Sequence, residues 1–351
     1  MSADKTNIRS LSEIELVDFL QEKGVKPFRA KQIFEWIWKK SSTNWDEMTN
    51  ISLELRQTLK DNFEFHTLAP DDVQHSNDGT IKTAFKLHDN YVVEGVLIPA
   101  KDRMTACISS QVGCSLSCKF CATGKLKRMR NLNPDEIYDQ VVTIKRQAEN
   151  KYQKNLSNIV FMGMGEPLLN YKNTLAGIDK ICGDTGLGMS PKRITVSTAG
   201  IAKQIKQLAD DEVKFNLALS LHAANDEKRS KIMPINDSNT LDALHESLRY
   251  FTDKTGTRVT FEYIIFKDFN DEIVDAQELA AFCKTLPCKI NIIEYNPIDG
   301  EEFRQADREK VDAFADYLES KNLVVNIRRS RGKDIDAACG QLANKNKLAY
   351  D

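Results

Sequence analysis

TACISSQVGCSLSCKFCATG, residues 105–124, decides how this chain is to be read. TACISS has the composition of a short strand. The chain then runs into Cys114, Cys118 and Cys121, three cysteines within eight positions. Disulfides need pairs, and a structural zinc normally takes four ligands. Thiolates this closely spaced also hold iron–sulfur clusters, and three of them on a four-iron cluster leave one iron open to a small molecule. On spacing alone, zinc with a remote fourth ligand stays open beside the cluster.

Downstream of this stretch, short apolar runs alternate with helical patterns. The strand candidates after TACISS are NIVFMG, RITVST, KFNLALSL, RVTFEYIIF, KINIIEY and LVVNIRRS. Between them lie segments such as PDEIYDQVVTIKRQAEN, LDALHESLRYFTDK and ADREKVDAFADYLESK. Strand–helix alternation predicts an α/β fold with a parallel sheet or barrel, whose chemistry gathers at the C-terminal strand ends. Upstream, TIKTAFKLHDNYVVEGVLIPA reads as a β-hairpin turning at Asp89-Asn90. Residues 10–65 read as helical. SLSEIELVDFLQEKG opens on a Ser/Glu capping pattern and closes on Gly24, and FRAKQIFEWIWKK puts Ile33, Phe34, Ile37 and Trp38 on one stripe. The expected organisation is a helical module over 1–70, a hairpin extension over 71–100 and an α/β barrel over 101–351.

The 351 residues contain no apolar run long enough to span a membrane, and the N-terminus lacks the apolar core of a signal peptide. The expectation is a cytoplasmic protein whose eight cysteines are free, catalytic or metal-bound. A net charge of −2 argues weakly against nucleic acid. Cations nevertheless cluster in KFCATGKLKRMR (119–130) and RRSRGK (328–333), where they could meet phosphates or simply face water.

Taken together, FRAKQIFEWIWKK, GCSLSCKFCATG, FMGMGEPLLN, ITVSTAG, LSLHAANDEKRSKIMPIN, EYNP and RRSRGKDIDAACGQL resemble the RlmN type of RNA methyltransferase within the radical SAM superfamily, over about residues 8–345. The resemblance implies a partial (β/α) barrel with a helical N-terminal RNA-binding domain and a short hairpin linker. It implies that Cys114, Cys118 and Cys121 hold a [4Fe-4S] cluster whose open iron chelates S-adenosylmethionine. Gly165, Glu166, Ser197, Ser220, Leu221, His222 and Asn296 would form the cofactor pocket. The implied substrates are one adenine of 23S rRNA and the adenine 3′ of the anticodon in tRNAs, each methylated at carbon 2. A monomer served by a reductase system that supplies electrons would do this.

Carbon 2 of adenine lies between two ring nitrogens and is too electron-poor to attack an ordinary methyl donor, so the chemistry calls for a radical route. In the resembled family two S-adenosylmethionine molecules serve each turnover. One methylates Cys339, and the second yields a 5′-deoxyadenosyl radical that takes hydrogen from that methyl group. The methylene radical adds to carbon 2, Glu94 accepts the proton, and Cys107 attacks the Cys339 sulfur to release RNA. Competing readings are a Cfr-type enzyme acting on carbon 8, a zinc-stabilised RNA-binding protein without catalysis, and a radical SAM enzyme with a small-molecule substrate. For Cys182, Cys283 and Cys288 no motif suggests more than packing.

Overall fold

The computed structural model describes residues 5–343; the ends of the expected module and barrel, residues 1–4 and 344–351, lie outside the described residues. Strand β1 (Thr6–Asn7) pairs in parallel with β2 (Phe63–Glu64) and ties the ends of the helical module together. Between them lie α1 (Glu13–Glu22), α2 (Phe28–Phe34), which continues as a π-type turn over Glu35–Lys39, and α3 (Leu53–Asn62). The Ser12/Glu15 capping box closes in both directions, and Ile33, Phe34, Ile37 and Trp38 are buried as one stripe. A buried Arg9 fastens the module to the barrel, pairing with Asp139 at 2.6 Å and Asp135 at 3.6 Å. Removing one partner of such a buried pair typically costs about 3–5 kcal/mol.

Ten strands then form one sheet. Three are antiparallel: β3 (Ala69–His75), β4 (Ile81–Lys86) and β5 (Val92–Ala100). β5 continues antiparallel onto β6 (Arg103–Cys107). A short antiparallel pair, β7 (Gln111–Val112) with β8 (Arg130–Asn131), stands apart from this sheet. The parallel part is β6 with β9 (Asn158–Phe161), β10 (Ile194–Thr198), β11 (Asn216–Ser220), β12 (Val259–Ile265), β13 (Cys288–Glu294) and β14 (Val325–Arg328). Helices α4 (Pro134–Tyr152), α5 (Tyr171–Cys182), α6 (Ala202–Asp210), α7 (Asp226–Ile232), α8 (Leu241–Thr255), α9 (Ile273–Cys283) and α10 (Arg308–Ser320) fill the crossovers. Among the described residues β14 pairs only with β13, so the barrel is open, as expected of a partial barrel.

The central parallel strand β12 behaves as a strand covered on both faces, whereas the edge strand β14 is largely exposed. Every residue of β12, VTFEYII, is buried, including Glu262. Two details differ from the sequence reading. The hairpin acquires a third strand, β3, whose polar APDDVQH carries no apolar alternation because it is an exposed edge. The hairpin is also more than a linker, since the β5–β6 pairing makes it part of the barrel's own sheet. The turn itself is as expected, with Asn90 at φ 68°.

Candidate active site

β6 ends at Cys107, and the chain passes through Ile108–Ser110 into β7. The β7–β8 pair forms the neck of a loop, residues 113–129, that carries the three cysteines. Tight turns set the loop's shape: the Cys121 N–H donates to the Cys118 carbonyl at 3.2 Å and the Gly124 N–H to the Cys121 carbonyl at 3.0 Å. Phe120 anchors it, packing with Ile232, Met233, Phe266 and Tyr295, its ring edge-on to His222 with centroids 4.6 Å apart.

The three thiols line one cleft with Gly163, Gly165, Glu166, Ser197, Ser220, His222, Glu262 and Cys339. The cleft encloses about 880 Å³ of unfilled space, part of it open to solvent. Burial pushes the Cys114 thiol up to about 11 and raises Cys118 and Cys121 as well; the neighbouring thiols add to the rise at Cys118. Such thiols lose their protons when a bound cation compensates the charge. Among the described residues, no three His, Cys, Asp or Glu side chains converge on a single-ion site. The three thiols share one cleft, and thiolates so closely spaced in the chain are the ligand type of iron–sulfur clusters.

The expected cofactor residues divide into three groups. Gly165, Glu166, Ser197, Ser220 and His222 line the cleft. At Gly165 the backbone runs at φ 91°, and an added Cβ would lie 2.4 Å from the Gln111 Cβ. Glu166 is buried, with one carboxylate oxygen accepting from the Ala199 N–H at 2.7 Å and the other from the Leu168 N–H at 2.9 Å. Burial raises its carboxyl while those N–H groups work against the rise. Its visible role is to join the loops after β9 and β10. The Ser197 and Ser220 hydroxyls sit 3.4 Å apart. His222 adopts φ 56° and its Nδ1 accepts from the Ile264 N–H at 3.1 Å. Burial, helped by the Arg229 charge, lowers its pKa to about 3, so the ring is neutral and carries its proton on Nε2. Leu221, in contrast, is buried in the main core, and its carbonyl receives Arg229 Nε at 3.1 Å. Asn296 faces the C-terminal segment: its Nδ2 donates to the Cys339 carbonyl at 3.2 Å, while its buried Oδ1 has no partner among the described residues.

Cys339 lines the cleft and is exposed to it. The surrounding walls desolvate its thiol and raise it, with Glu262 and Cys121 adding to the rise and Arg328 opposing it. Cys107, at the end of β6, is buried and pushed up to about 12, first by burial and next by the negative charge that Cys339 would carry. The two cysteines are thus electrostatic neighbours. Glu94 sits on β5 outside the cleft lining. Its Oε1 lies 3.6 Å from Lys82 Nζ and its Oε2 accepts from the Ala343 N–H at 2.9 Å.

Two functional-looking residues escaped the sequence reading. Arg229, in the surface-like run NDEKRSK, is fully buried and donates to the carbonyls of Leu221, Ala199 and Ser220 and to Asn236 Oδ1. Burial lowers its pKa to about 10. Glu262 lines the cleft, accepts from Asn291 Nδ2 at 2.8 Å and lies 3.5 Å from Arg328 Nη1. A signal existed for Glu262, as the one charge in an apolar strand; none existed for Arg229. The basic stretches also need correction, because several cations serve the fold. Arg130 is paired with Asp89 and Glu136, Lys125 with Glu301, Lys333 with Glu294, and Arg331 donates to the Asp78 carbonyl. Lys119, Lys127, Arg128 and Arg329 remain exposed.

Residues 6–65 match the ribosomal RNA large subunit methyltransferase N-terminal domain, and residues 108–280 match the radical SAM superfamily. A protein of Cytophaga hutchinsonii named "Probable dual-specificity RNA methyltransferase RlmN" is 61% identical over 97% of this chain and 93% of its own. One of the same name from Staphylococcus carnosus is 42% identical over 98% and 94%. The chain belongs to the RlmN family. A radical SAM methyltransferase from Sphaerobacter thermophilus has the same architecture, with TM-score 0.90 and 38% identity over 96% of this chain and 99% of its own. Membership of the RlmN family sets aside the reading of a non-catalytic zinc protein. It makes the chain a radical SAM enzyme, with a [4Fe-4S] cluster and S-adenosylmethionine as the cofactors of its class. The site fits both: three thiols and Cys339 line one cleft, and a buried Asn296 Oδ1 without a partner among the described residues lies beside the Cys339 segment.

Proposed function

We propose that the chain methylates carbon 2 of one adenine in 23S rRNA and of the adenine 3′ of the anticodon in tRNAs, with Cys339 as carbon carrier and Cys107 as resolving thiol. The observation that carries this reading is the meeting of Cys339 with the triplet thiols on one cleft wall, with Cys107 in electrostatic reach. A cysteine near the C-terminus has no packing reason to line a cleft beside three others. The RlmN name of the relatives favours carbon 2 over carbon 8.

Cys114, Cys118 and Cys121 would hold the cluster, with Gly165, Ser197, Ser220 and neutral His222 around the cofactor. When bound, that pair of groups supplies the methyl carbon and the radical that activates it. Cys339, open to the cleft, accepts the carbon and presents it to the base. Glu94 takes the carbon-2 proton, through rearrangement or one water, since it stands behind the carrier segment. Cys107 then attacks the Cys339 sulfur: the disulfide forms as the sulfur–methylene bond breaks, the freed methylene takes up a proton and one electron to become the methyl group on RNA, and the one electron left over returns to the electron-transfer system. The raised pKa of Cys107 means that it must first lose a proton. External reductant, delivered by a reductase system, restores both thiols. Lys119, Lys127, Arg128 and Arg329 supply phosphate contacts, and the target adenine enters the cleft flipped out of its stack. The working unit is a monomer in the cytoplasm. Among the described residues, no helix is long and apolar enough to cross a membrane.

The test is mass spectrometry of RNA after incubation with reconstituted enzyme and methyl-deuterated S-adenosylmethionine. The expected product carries two deuteriums at carbon 2, with the third in 5′-deoxyadenosine. Retention of all three would mean direct polar transfer and would overturn the carrier scheme.

A further inference from the structure

Lys82 lies on β4, a strand the proposed chemistry does not use, yet it is buried. A buried ammonium needs compensation. It finds two partners: Glu94 Oε1 at 3.6 Å and the Asp336 carbonyl at 3.4 Å. Glu94 stands opposite Ala84 in the β4–β5 ladder, so Lys82 is its diagonal neighbour on the same sheet face. The other Glu94 oxygen accepts from the Ala343 N–H. One ion pair therefore grips the C-terminal segment on both sides of Cys339, at Asp336 and at Ala343. The β3–β4 turn continues the grip upstream, where Asp334 accepts from the Ser76 hydroxyl at 2.5 Å and the Asn77 N–H at 3.0 Å, and Asp78 accepts from the Gly332 N–H at 2.9 Å.

We propose that Lys82 is a positioning residue for the methyl carrier: with Glu94 it clamps the segment around Cys339, and proton uptake by Glu94 loosens that clamp. The second clause rests on the reading of Glu94 as proton acceptor. As a carboxylate, Glu94 offers one oxygen to Lys82 and one to Ala343. After the proton passes from carbon 2 to Glu94, the group has no charge for Lys82, and one of its oxygens bears hydrogen. The Asp336–Ala343 stretch then gains freedom at the step when the Cys339 sulfur must turn from RNA to Cys107. No electrons move in this step. A proton leaves carbon 2 and arrives on the carboxylate.

The test uses cluster-loaded protein with Lys82→Met, Lys82→Arg and Glu94→Gln. Amide hydrogen exchange is followed across the chain, together with 5′-deoxyadenosine formed per methylated RNA. Lys82→Met should speed exchange in residues 336–343 about tenfold, the factor that 1.4 kcal/mol represents. It should also raise the 5′-deoxyadenosine to product ratio at unchanged iron content, because a displaced carrier meets the radical less often. Lys82→Arg should restore both. Glu94→Gln imitates the proton-loaded group and should loosen the same residues without iron loss; a segment still tight in that variant overturns the coupling. Native-like exchange and ratio in Lys82→Met overturn the clamp, as does faster exchange spread through the barrel. Cys339→Ala, run beside them, keeps the two readings apart: methylated RNA from that variant defeats the carrier scheme whatever the clamp does.

Discussion

The loop of residues 113–129 and the segment of residues 331–343 bring cysteines to the same cleft, but the chain holds them differently. The loop has a scaffold of its own, a two-residue ladder at its neck and turns within CSLSCKFC, to which Phe120, the Lys119 N–H and Lys125 add ties to other elements. The segment has one short helical turn, Lys333–Ile335. It relies on bonds from distant elements: the β3–β4 turn, Lys82, Glu94, Asn296, Thr123 Oγ1 donating to the Leu342 carbonyl at 2.7 Å, and the Ala122 N–H donating to the Gly340 carbonyl at 2.7 Å. A locally determined loop suits ligands that must stay in place. A segment held by many separable bonds suits the part proposed for Cys339, which would meet first a methyl donor, then RNA, then Cys107.

The contrast is sharpest in paired alanine variants. Cys118→Ala and Cys339→Ala should each abolish RNA methylation, a loss of several orders of magnitude. Only the first should also lose iron and the brown colour, read by metal analysis and absorbance. Equal iron loss in both would mean that the segment helps to build the cluster site. Cys107→Ala should separate carrier from resolver. Addition to RNA proceeds without it but release does not, so a denaturation-resistant, nuclease-sensitive protein–RNA band should accumulate on a gel. Normal turnover in this variant would leave Cys107 a packing residue of β6.

A smaller effect probes the loop's neck. Gly113 sits at φ 72°, and an added Cβ would lie 2.1 Å from the Lys127 carbonyl oxygen. Gly113→Ala should cost about 1–3 kcal/mol in backbone strain, measured by thermal unfolding, and should reduce iron loading while hydrogen exchange in residues 331–336, which the loop does not bond, is unchanged. Exchange rising in both regions would show that they are not independent. The smallest effect is on the segment's anchor. Burial alone would raise the Asp78 carboxyl, but hydrogen bonds from Thr80 and Gly332 outweigh it and hold its pKa at about 2, below the ordinary 3.8. A depressed carboxyl stabilises the fold above its unfolded pKa and loses that contribution as pH falls through the folded value. Exchange at Gly332 should therefore quicken as pH drops from about 4 to about 2, after correction for intrinsic rates, and Asp78→Ala should remove this pH dependence.

How much of this could be read in advance depended on the range of the interaction. The cysteine loop, the strand–helix alternation and the Ser12/Glu15 cap were legible because each depends on residues a few positions apart. So was the place of Ser197, Ser220 and His222, since strand ends in a parallel barrel share one rim. Leu221 and Asn296 sat beside recognisable motifs, but adjacency in sequence does not say which way a side chain turns. One faces the core and the other the Cys339 segment. The polar edge strand β3 had no pattern to read, and Arg229 looked like a solvated charge because its acceptors, seven to thirty residues away, are brought round it only by the folding of the β11–α7 connection, the turn after α7 and the loop after β10.

The amino-acid sequence by itself determined the elements of the fold, the close spacing of the three loop cysteines and, through motifs spread along nearly the whole length, the family. Tertiary structure alone decided which cations are paired within the fold, that Glu262 faces the cleft, and that Lys82 and Glu94 grip the chain on either side of Cys339. The physical reason is that turn geometry and hydrophobic period are local and write themselves into short windows. A buried charge is tolerated only where its partner arrives, and those partners are brought together by packing of the whole sheet.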